Sequence, residues 1–175
     1  MKDVMVDLET LGQTPGCAIL SIGAIAFDPF KGVTGNEFYT VINTESCLKS
    51  GLDTDQSTID WWAKQEEAAR SVLMEAANSG ESLAAALTSF QNFLAQYRLS
   101  NVLVWGNGSD FDNAILACAY RAVGSQLPWK FWNNRCYRTL KNLKPSMGPK
   151  RVGTYHNALD DARTQALHAM ELLRS

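Results

Sequence analysis

Two acidic side chains near the N-terminus, Asp7 and Glu9, have a spacing that could bind a metal ion. They follow the apolar residues 4–6, a run typical of a strand buried on both faces. Because strand side chains alternate, residues two apart point the same way, with about 6–7 Å between their Cα atoms. Carboxylates this close repel each other, and a divalent cation such as Mg²⁺ or Mn²⁺ would remove the repulsion. The pair predicts half of a metal site, although two acids facing water at a strand end would give the same pattern.

Further acidic residues stand where helices are predicted to begin. Asp110 and Asp112 follow a short apolar strand, and Asp160 and Asp161 open the last helix, a few residues after His156. An acid in a first helical turn also interacts favourably with the helix dipole, so each has an ordinary structural explanation. At about 100° per residue, Asp160 and Asp161 flank the apolar stripe of the last helix on opposite sides. Periodicity therefore does not choose between them.

Apolar patterning predicts the elements that must position these residues. Strands are expected at the N-terminus and over residues 19–27 and 37–42, as a three-stranded antiparallel meander, with a fourth strand over 102–105. Helices are expected around 59–62 after a cap at Ser57 or Thr58, over 66–77, after Ser82, and over 111–123, 137–143 and 158–173. Residues 43–57, 124–136 and 145–153 lack such patterns and are predicted to be irregular, and His168 is expected at the surface or its boundary. This order predicts one α/β domain over residues 1–175, a mixed sheet covered by helices.

Composition excludes several classes of protein. With 46% hydrophobic and 19% charged residues, the chain is expected to be soluble and globular. No basic segment followed by a long apolar one opens the chain, and no apolar run approaches 18 residues, so neither a signal peptide nor contact with a membrane is expected. The cysteines are widely spaced, which favours reduced thiols and a cytoplasmic location over zinc or a disulfide framework. They are Cys17, Cys47, Cys118 and Cys136.

Basic residues are concentrated in one stretch of the chain, although the net charge is −2. Residues 113–159 contain no Asp or Glu, and they interleave basic with aromatic side chains. A local positive field with aromatic rings can bind phosphates and bases, whereas acids elsewhere in the fold could also balance this charge. The basic residues are Arg121, Lys130, Arg135, Arg138, Lys141, Lys144, Lys150 and Arg151, and the aromatics include Trp129, Phe131, Trp132 and Tyr137.

As a set, these residues resemble the three motifs of the DEDDh 3′–5′ exonucleases, which belong to the ribonuclease H-like superfamily. The first motif is matched by residues 7–10 (DLET), the second by residues 107–112 (NGSDFD), and the third by His156 with Asp161 five positions on. The order of the motifs matches over nearly the whole chain, and the three together are far more specific than one alone. Residues 59–62 (IDWW) and the opening DLETLG are most similar to a subgroup with phage exonuclease A, exonuclease VIII-like prophage proteins and a mycobacterial exoribonuclease. The resemblance implies a ribonuclease H-like mixed sheet, with parallel strands beside the antiparallel meander.

The resemblance also implies the catalytic residues. The metal ligands would be Asp7, Glu9, Asp112 and Asp161, and His156 would be the general base. The family pattern F-D selects Asp112 over Asp110, and H-x-x-x-x-D selects Asp161 over Asp160. A sister group uses a tyrosine as base, but the spacing of that motif from Tyr155 would end on Leu159. Four carboxylates can hold two Mg²⁺ ions about 3.5–4 Å apart, one activating a water and one stabilising the leaving 3′ oxygen.

The substrate implied is single-stranded RNA or DNA with a free 3′ end, and the product is a nucleoside 5′-monophosphate. The sequence does not choose between the two sugars, and some relatives in the family are dimers, so a homodimer is possible. One of the two tryptophans at 61 and 62 is expected in the core. The residues expected to contact substrate are Leu8, Thr10, Leu11, Trp61, Trp62, Gln65 and Asn107 near the terminal nucleotide, and Lys141 and Lys144 near upstream phosphates.

Two other functions are compatible with parts of the sequence. Residues 7–11 loosely match the D-x-D-x-T motif of haloacid-dehalogenase-type phosphatases, but Glu9 stands where that family has aspartate. A non-catalytic nucleic-acid-binding module could share an exonuclease-like fold. All five catalytic positions are filled here, which favours the enzyme.

Overall fold

The computed structural model describes residues 1–175 and has a five-stranded mixed sheet at its centre. Strand β1 is central, and the sheet order is β3-β2-β1-β4-β5. The first three strands form an antiparallel meander, while β4 runs parallel to β1 and β5 parallel to β4. The strands are β1 (Asp3–Thr10), β2 (Ile19–Asp28), β3 (Val33–Val41), β4 (Leu103–Gly106) and β5 (Asn134–Cys136).

Seven α-helices cover the two faces of this sheet, and none of them has the length and apolar character needed to cross a membrane. They are α1 (Thr44–Lys49), α2 (Gln56–Trp62), α3 (Glu67–Asn78), α4 (Leu83–Ala95), α5 (Asp112–Ala122), α6 (Tyr137–Leu143) and α7 (Ala158–Arg174), with a short 3-10 helix at Phe131–Asn133.

Strand β1 is buried on both faces because its side chains alternate between two apolar cores. Val4 and Val6 belong to the larger core with Phe90 of α4, while Met5 belongs to a smaller core with Met170 of α7. All three residues of this apolar run are fully buried. The central strand is therefore fixed from both sides, and the acids at its end are held by a rigid element.

Helix α7 lies close to the sheet because small residues meet at their contact. Its inner face carries Ala158 and three further fully buried alanines. A Cβ atom on Gly23 of β2 would lie only 2.1 Å from the carbonyl carbon of Ala158. Gly23 is the register partner of Asp7. The absence of a side chain at residue 23 thus lets the first turn of α7 sit beside the strand that carries Asp7 and Glu9.

The structure corrects several expectations about local elements. Strand β3 begins at Val33, four residues earlier than predicted, and Asp55 caps α2 where Ser57 or Thr58 was expected. Residues 43–57 contain α1, and residues 124–136 contain the 3-10 helix and β5. These elements span three to six residues, which is too short to establish a periodicity. Strand β5, with the sequence NRC, depends on pairing with β4.

The expectation for His168 is also wrong. Its side chain is buried, with 2% of its surface exposed. One ring nitrogen, Nδ1, shares a hydrogen bond with the hydroxyl of Tyr137 (2.8 Å), and Nε2 shares one with the carbonyl oxygen of Met147 (2.9 Å). These partners, supplied by α6 and the loop after it, satisfy a polar ring in the core.

Candidate active site

Four carboxylates from three elements converge at one end of the sheet. Asp7 and Glu9 end β1, Asp112 is the first residue of α5, and Asp161 lies in the first turn of α7. The parallel strands β1 and β4 end at the same edge, and α5 follows β4 closely. Two of the four acids therefore stand at helix N-termini, where the helix dipole favours negative charge.

Asp112 is fixed to the backbone of its neighbours and is fully buried. Its Oδ1 accepts a hydrogen bond from the N–H of Leu8 (3.1 Å), and its Oδ2 accepts one from the N–H of Asn107 (2.6 Å). A Cβ on Gly106 would lie 3.0 Å from this side chain, so the glycine makes room for it. Burial raises the pKa of Asp112 to about 6, although these N–H groups oppose the shift.

Asp7 is held from the opposite direction by helix α7. Its Oδ1 accepts a hydrogen bond of 2.6 Å from Nε2 of Gln165, a buried residue one turn after Asp161. Burial raises the pKa of Asp7 well above its ordinary value, and the negative charges of Asp112, Glu9 and Asp161 raise it further. The four acids are therefore close enough to repel one another strongly.

Glu9, Asp161 and His156 form the tightest group of possible metal-binding side chains. One ligand atom from each lies within 4.8 Å of the other two. Burial and the charges of Asp161 and Asp112 raise the pKa of Glu9 to about 8. Hard oxygen donors that repel one another are suited to a divalent cation of the Mg²⁺ or Mn²⁺ type, because the ion neutralises them. The donor set therefore fits a divalent metal, as the resemblance to the exonucleases implies.

Asp161 also has two partners within the chain. Its Oδ1 pairs with the guanidinium of Arg151, and its Oδ2 accepts a hydrogen bond of 3.0 Å from the backbone N–H of His156. Burial raises its pKa, while Arg151 opposes that shift. Arg151 precedes His156 in the same loop and lies 4.4 Å from the centroid of the Tyr155 ring.

The structure distinguishes the acids between which periodicity could not choose. Asp160 points away from the carboxylate group: its Oδ2 accepts from the N–H of Thr154 (2.8 Å), and its Oδ1 pairs with Arg163 (2.7 Å). Asp110 is exposed, whereas Asp112 is buried in the site. The geometry therefore places Asp112 and Asp161 together, as the resemblance implied.

Three of the carboxylates, Asp7, Glu9 and Asp161, line a cavity of about 340 Å³, and Asp112 is buried behind it. Five of the residues expected to contact substrate lie on its wall: Leu8, Thr10, Trp61, Trp62 and Asn107. Trp62 is the core member of the tryptophan pair, with 1% of its surface exposed, and its Nε1 donates to the carbonyl oxygen of Thr10 (2.9 Å). Trp61 keeps 41% of its surface exposed.

The other four residues expected to contact substrate lie outside this cavity: Leu11, Gln65, Lys144 and Lys141. Leu11 packs in the larger core, and Gln65 lies in a neighbouring groove, where its Nε2 donates to the carbonyl oxygen of Trp61. Lys144 donates to the carbonyl oxygen of Leu172, near the end of α7. That carbonyl is eleven residues from Asp161, about 16 Å along the helix at 1.5 Å per residue. The structure does not bring Lys144 to the site.

Lys141 lines a second cleft of about 190 Å³, which adjoins the carboxylate cavity. The two spaces share Asn107, Asp161 and Gln165 as a common wall, and Arg151 lies on the side of the second cleft. Three buried polar atoms in this cleft have no hydrogen-bond partner in the chain: Asn107 Oδ1, Arg151 Nε and Gln165 Oε1. Buried polar atoms normally have partners, so the cleft has the character of a binding site.

Sequence reasoning missed Gln165 and gave Arg151 no role of its own. The signal for Gln165 was its position four residues after Asp161, which places both on one face of α7. The signal for Arg151 was weaker, because it was one of eight basic residues in the stretch 113–159. Only the folded loop brings its guanidinium to Asp161.

We expect Gln165→Leu to weaken Mg²⁺ binding by about 10–100-fold, the usual effect of removing a hydrogen-bond partner of a metal ligand. The leucine fills similar space but cannot donate to Asp7, so that carboxylate loses its fixed orientation. Calorimetric titration of the variant with Mg²⁺, without substrate, measures the change. Gln13→Leu is the matched control, because Gln13 also lines the cavity but makes no hydrogen bond to a carboxylate. Equal metal affinity in the Gln165 variant and wild type would contradict the prediction.

Solved structures of nucleases share this fold. The nuclease domain of 3′hExo, a DEDDh family member solved with rAMP bound, matches with a TM-score of 0.67 at 12% identity, over 98% of this chain and 91% of that one. Exonuclease I of E. coli, in complex with a dA16 oligonucleotide, matches with a TM-score of 0.69 at 13% identity. That match covers 99% of this chain but only 41% of the exonuclease.

Sequence comparisons identify the family. A curated relative, an exodeoxyribonuclease of enterobacteria phage T4, is 27% identical over an alignment of 163 residues, and the match covers 79% of this chain and 70% of the relative. The family model for the Rv2179c-like 3′-5′ exoribonuclease domain matches residues 2–173. Because that match spans nearly the entire sequence, the chain belongs to the Rv2179c-like family of 3′–5′ exonuclease domains, within the DEDDh exonucleases.

Proposed function

We propose that this chain hydrolyses the last phosphodiester bond at the 3′ end of single-stranded nucleic acid and releases nucleoside 5′-monophosphates. The observation that carries the proposal is the convergence of four carboxylates: Asp7, Glu9 and Asp161 line one cavity, and the charge of the buried Asp112 acts on both Asp7 and Glu9. The cavity volume of about 340 Å³ is within the range of small-molecule sites. A terminal nucleotide can enter such a cavity, whereas an internal segment of duplex would not fit.

The carboxylate set supports a site for two divalent cations, Mg²⁺ with Mn²⁺ as a substitute. Asp7, Glu9, Asp112 and Asp161 would hold them, because together they supply enough oxygen atoms to share between two ions. Bound in this way, the ions supply a water of lowered pKa and positive charge beside the scissile phosphate. Gln165 and the backbone N–H groups of Leu8 and Asn107 orient the carboxylates for this task.

His156 is proposed to take the proton of the attacking water. Its imidazole lies in the same cavity and within 4.8 Å of carboxylate oxygens of Glu9 and Asp161. A base must come within hydrogen-bond reach of the proton that it removes, so a residue at the edge of the carboxylate group is well placed. The loop 145–153, which has no regular structure, leads into His156 and leaves room for adjustment when substrate binds.

The cleft that contains Lys141 and Arg151 is proposed to receive the phosphate upstream of the scissile bond. It shares a wall with the carboxylate cavity, so one strand can pass from the first space to the second. The two positively charged side chains in this cleft, Lys141 and Arg151, can bind a phosphate. The exonuclease I complexes contain single-stranded oligonucleotides, which supports a single-stranded substrate. The family name refers to RNA and the phage relative to DNA, so we propose no preference for either sugar.

Digestion of matched RNA and DNA oligonucleotides, labelled at either the 3′ or the 5′ end, tests the proposal. With Mg²⁺ present, a 3′ label should appear at once as a labelled mononucleotide, while a 5′-labelled strand should shorten one nucleotide at a time. Chelation of the metal should stop both. Initial products longer than one nucleotide, or release from the 5′ end, would contradict the proposal.

We expect Lys141→Ala to raise the Michaelis constant for oligonucleotides and to reduce its salt dependence by about one unit of log–log slope, the effect of one lost phosphate contact. The turnover number should change little, because the lysine contacts bound substrate and transition state alike. Initial rates between 50 and 200 mM salt measure both quantities.

Lys144→Ala is the matched control for that prediction. Lys144 donates to Leu172 and Ser175 at the end of α7, so its loss should lower the melting temperature and leave the salt slope unchanged. If Lys144→Ala, not Lys141→Ala, changed the slope, the phosphate path would lie along α7.

Membership of the exonuclease family favours the enzyme over both alternatives from the sequence, the phosphatase and the non-catalytic module. A homodimer and a cytoplasmic location stay predictions. Sedimentation of the purified chain would measure the first, and fractionation of cells that express it would measure the second.

A further inference from the structure

We infer that Trp61 is a positioning residue for the proposed base, and that it acts on turnover through His156. The inference rests on the proposed function, since it takes His156 as the group that receives the proton. The two rings are in contact, with centroids 4.9 Å apart and planes at 87°. This edge-to-face arrangement is a favourable geometry for aromatic pairs.

The base needs such support because its ring makes no hydrogen bond within the chain, and the other two aromatic rings near it, Trp62 and Tyr155, have centroids 6.3 and 6.4 Å away. The backbone N–H of His156 donates to Asp161, which fixes the main chain. Its φ is +59°, in the left-handed region that residues other than glycine seldom adopt. The residue therefore sits on a bent, irregular loop, and the direction of its imidazole depends on the rings that it contacts.

Trp61 can provide that support because helix α2 holds it rigidly. Its neighbour Trp62 is buried and hydrogen-bonded to Thr10, at the end of the strand that carries Asp7 and Glu9. Asp55 caps α2, and its own N–H donates to the carbonyl oxygen of Leu11. The ring of Trp61 packs against that of Trp62 at 5.2 Å and 77°. The imidazole is thus connected to β1 through the packed rings of Trp61 and Trp62.

Trp61 could either position His156 or stack on a nucleobase of the substrate, and these two roles have different effects on the kinetic constants. If Trp61 orients His156, Trp61→Ala should lower the turnover number by about 10–100-fold, the scale expected for a misplacement of about 1 Å. The Michaelis constant should stay within a factor of about 3, because substrate binding is not affected. Trp61→Phe, which keeps an aromatic edge, should recover most of the turnover.

The decisive experiment is a double-mutant cycle between Trp61→Ala and His156→Ala, which measures whether the two side chains act together. In the His156→Ala background, Trp61→Ala should cost less than about 2-fold in turnover. Phe30→Ala, at an exposed aromatic residue in the turn between β2 and β3, is the control and should change neither background. Melting temperatures of all variants separate loss of fold from loss of orientation.

A second measurement needs no substrate. The chain has two histidines, so the imidazole resonances of His156 and His168 can be distinguished by substitution. Trp61→Ala should shift those of His156, because the aromatic ring beside it is gone, and should leave those of His168 unchanged.

The possible outcomes separate the two proposals. If His156→Ala loses turnover as expected but Trp61→Ala costs the same factor in both backgrounds, mainly in the Michaelis constant, Trp61 stacks on substrate and the inference fails. If His156→Ala keeps full turnover, the proposed base is wrong, and the inference fails with it. Unchanged imidazole resonances in Trp61→Ala would also overturn the inference.

Discussion

Glu9→Gln should release no detectable nucleotide, and its stability without metal should fall less steeply than that of the wild type as the pH rises. The glutamine keeps the shape of the side chain but supplies no negative charge to a cation. Glu9 is buried, with 7% of its surface exposed, and its ligand atom lies within 4.8 Å of that of Asp161. Removal of this charge therefore affects both the metal and the other acids.

The pH effect follows from the raised pKa of Glu9. The group has an ordinary pKa of 4.5 and a pKa of about 8 in the folded protein, so between these values the folded chain binds more protons than the unfolded chain. The free energy of unfolding of the metal-free wild type then falls as the pH rises from about 5 to 8. The loss should be on the order of 2–4 kcal/mol, since one pKa unit corresponds to about 1.4 kcal/mol.

Melting curves between pH 5 and 8, with and without saturating Mg²⁺, measure this effect. The metal should reduce the pH slope of the wild type, because it neutralises the acids in the folded state, and should change Glu9→Gln little. Glu81→Gln is the control, since Glu81 is an exposed glutamate. If Glu9→Gln kept the wild-type dependence of stability on pH, the repulsion would come from other acidic groups. If the variant kept its nuclease activity, Glu9 would not be a metal ligand.

Most of the secondary structure near each motif could be predicted from the sequence. The apolar residues 4–6 predicted a strand buried on both faces, and the three residues are fully buried on the central strand. The longer helices were predicted because apolar periodicity is a local signal, whereas the choice of Asp112 over Asp110 and of Asp161 over Asp160 came from the family resemblance. The order of the elements predicted a mixed sheet with its antiparallel meander, but not the short parallel strand β5.

Contacts between distant residues were not predictable from one sequence. Gln165 reaches Asp7 across 158 positions, and only the close approach of α7 to Gly23 makes that contact possible. One sequence also could not show which ring of the tryptophan pair is buried. Adjacent residues on a helix point about 100° apart, and Trp62 is the buried ring because it packs against the end of β1. Lys144 lies at the end of α7, and membership of a basic stretch does not indicate which end of α7 a side chain faces.

His156→Ala should lower the turnover number by about 10²–10⁴-fold, the usual contribution of a general base, while Mg²⁺ affinity stays close to wild type. The four carboxylates supply the metal ligands, so loss of the imidazole should leave the ions in place. The variant keeps the backbone N–H that donates to Asp161, so the orientation of that ligand is also preserved. Tyr155→Phe is the matched control: Tyr155 is the neighbouring residue, 65% exposed, and loss of its hydroxyl should have little effect.

His156 could act as a general base or as a metal ligand, because a ring nitrogen lies within 4.8 Å of ligand atoms of both Glu9 and Asp161. A ligand and a base predict different results without substrate. If His156 is a base, Mg²⁺ should raise the melting temperature of His156→Ala as much as that of the wild type, since the shift depends on metal affinity alone. If the imidazole binds the metal, that rise should shrink along with turnover. A smaller metal-induced rise would therefore make His156 a fifth ligand and leave the proton of the attacking water to another group.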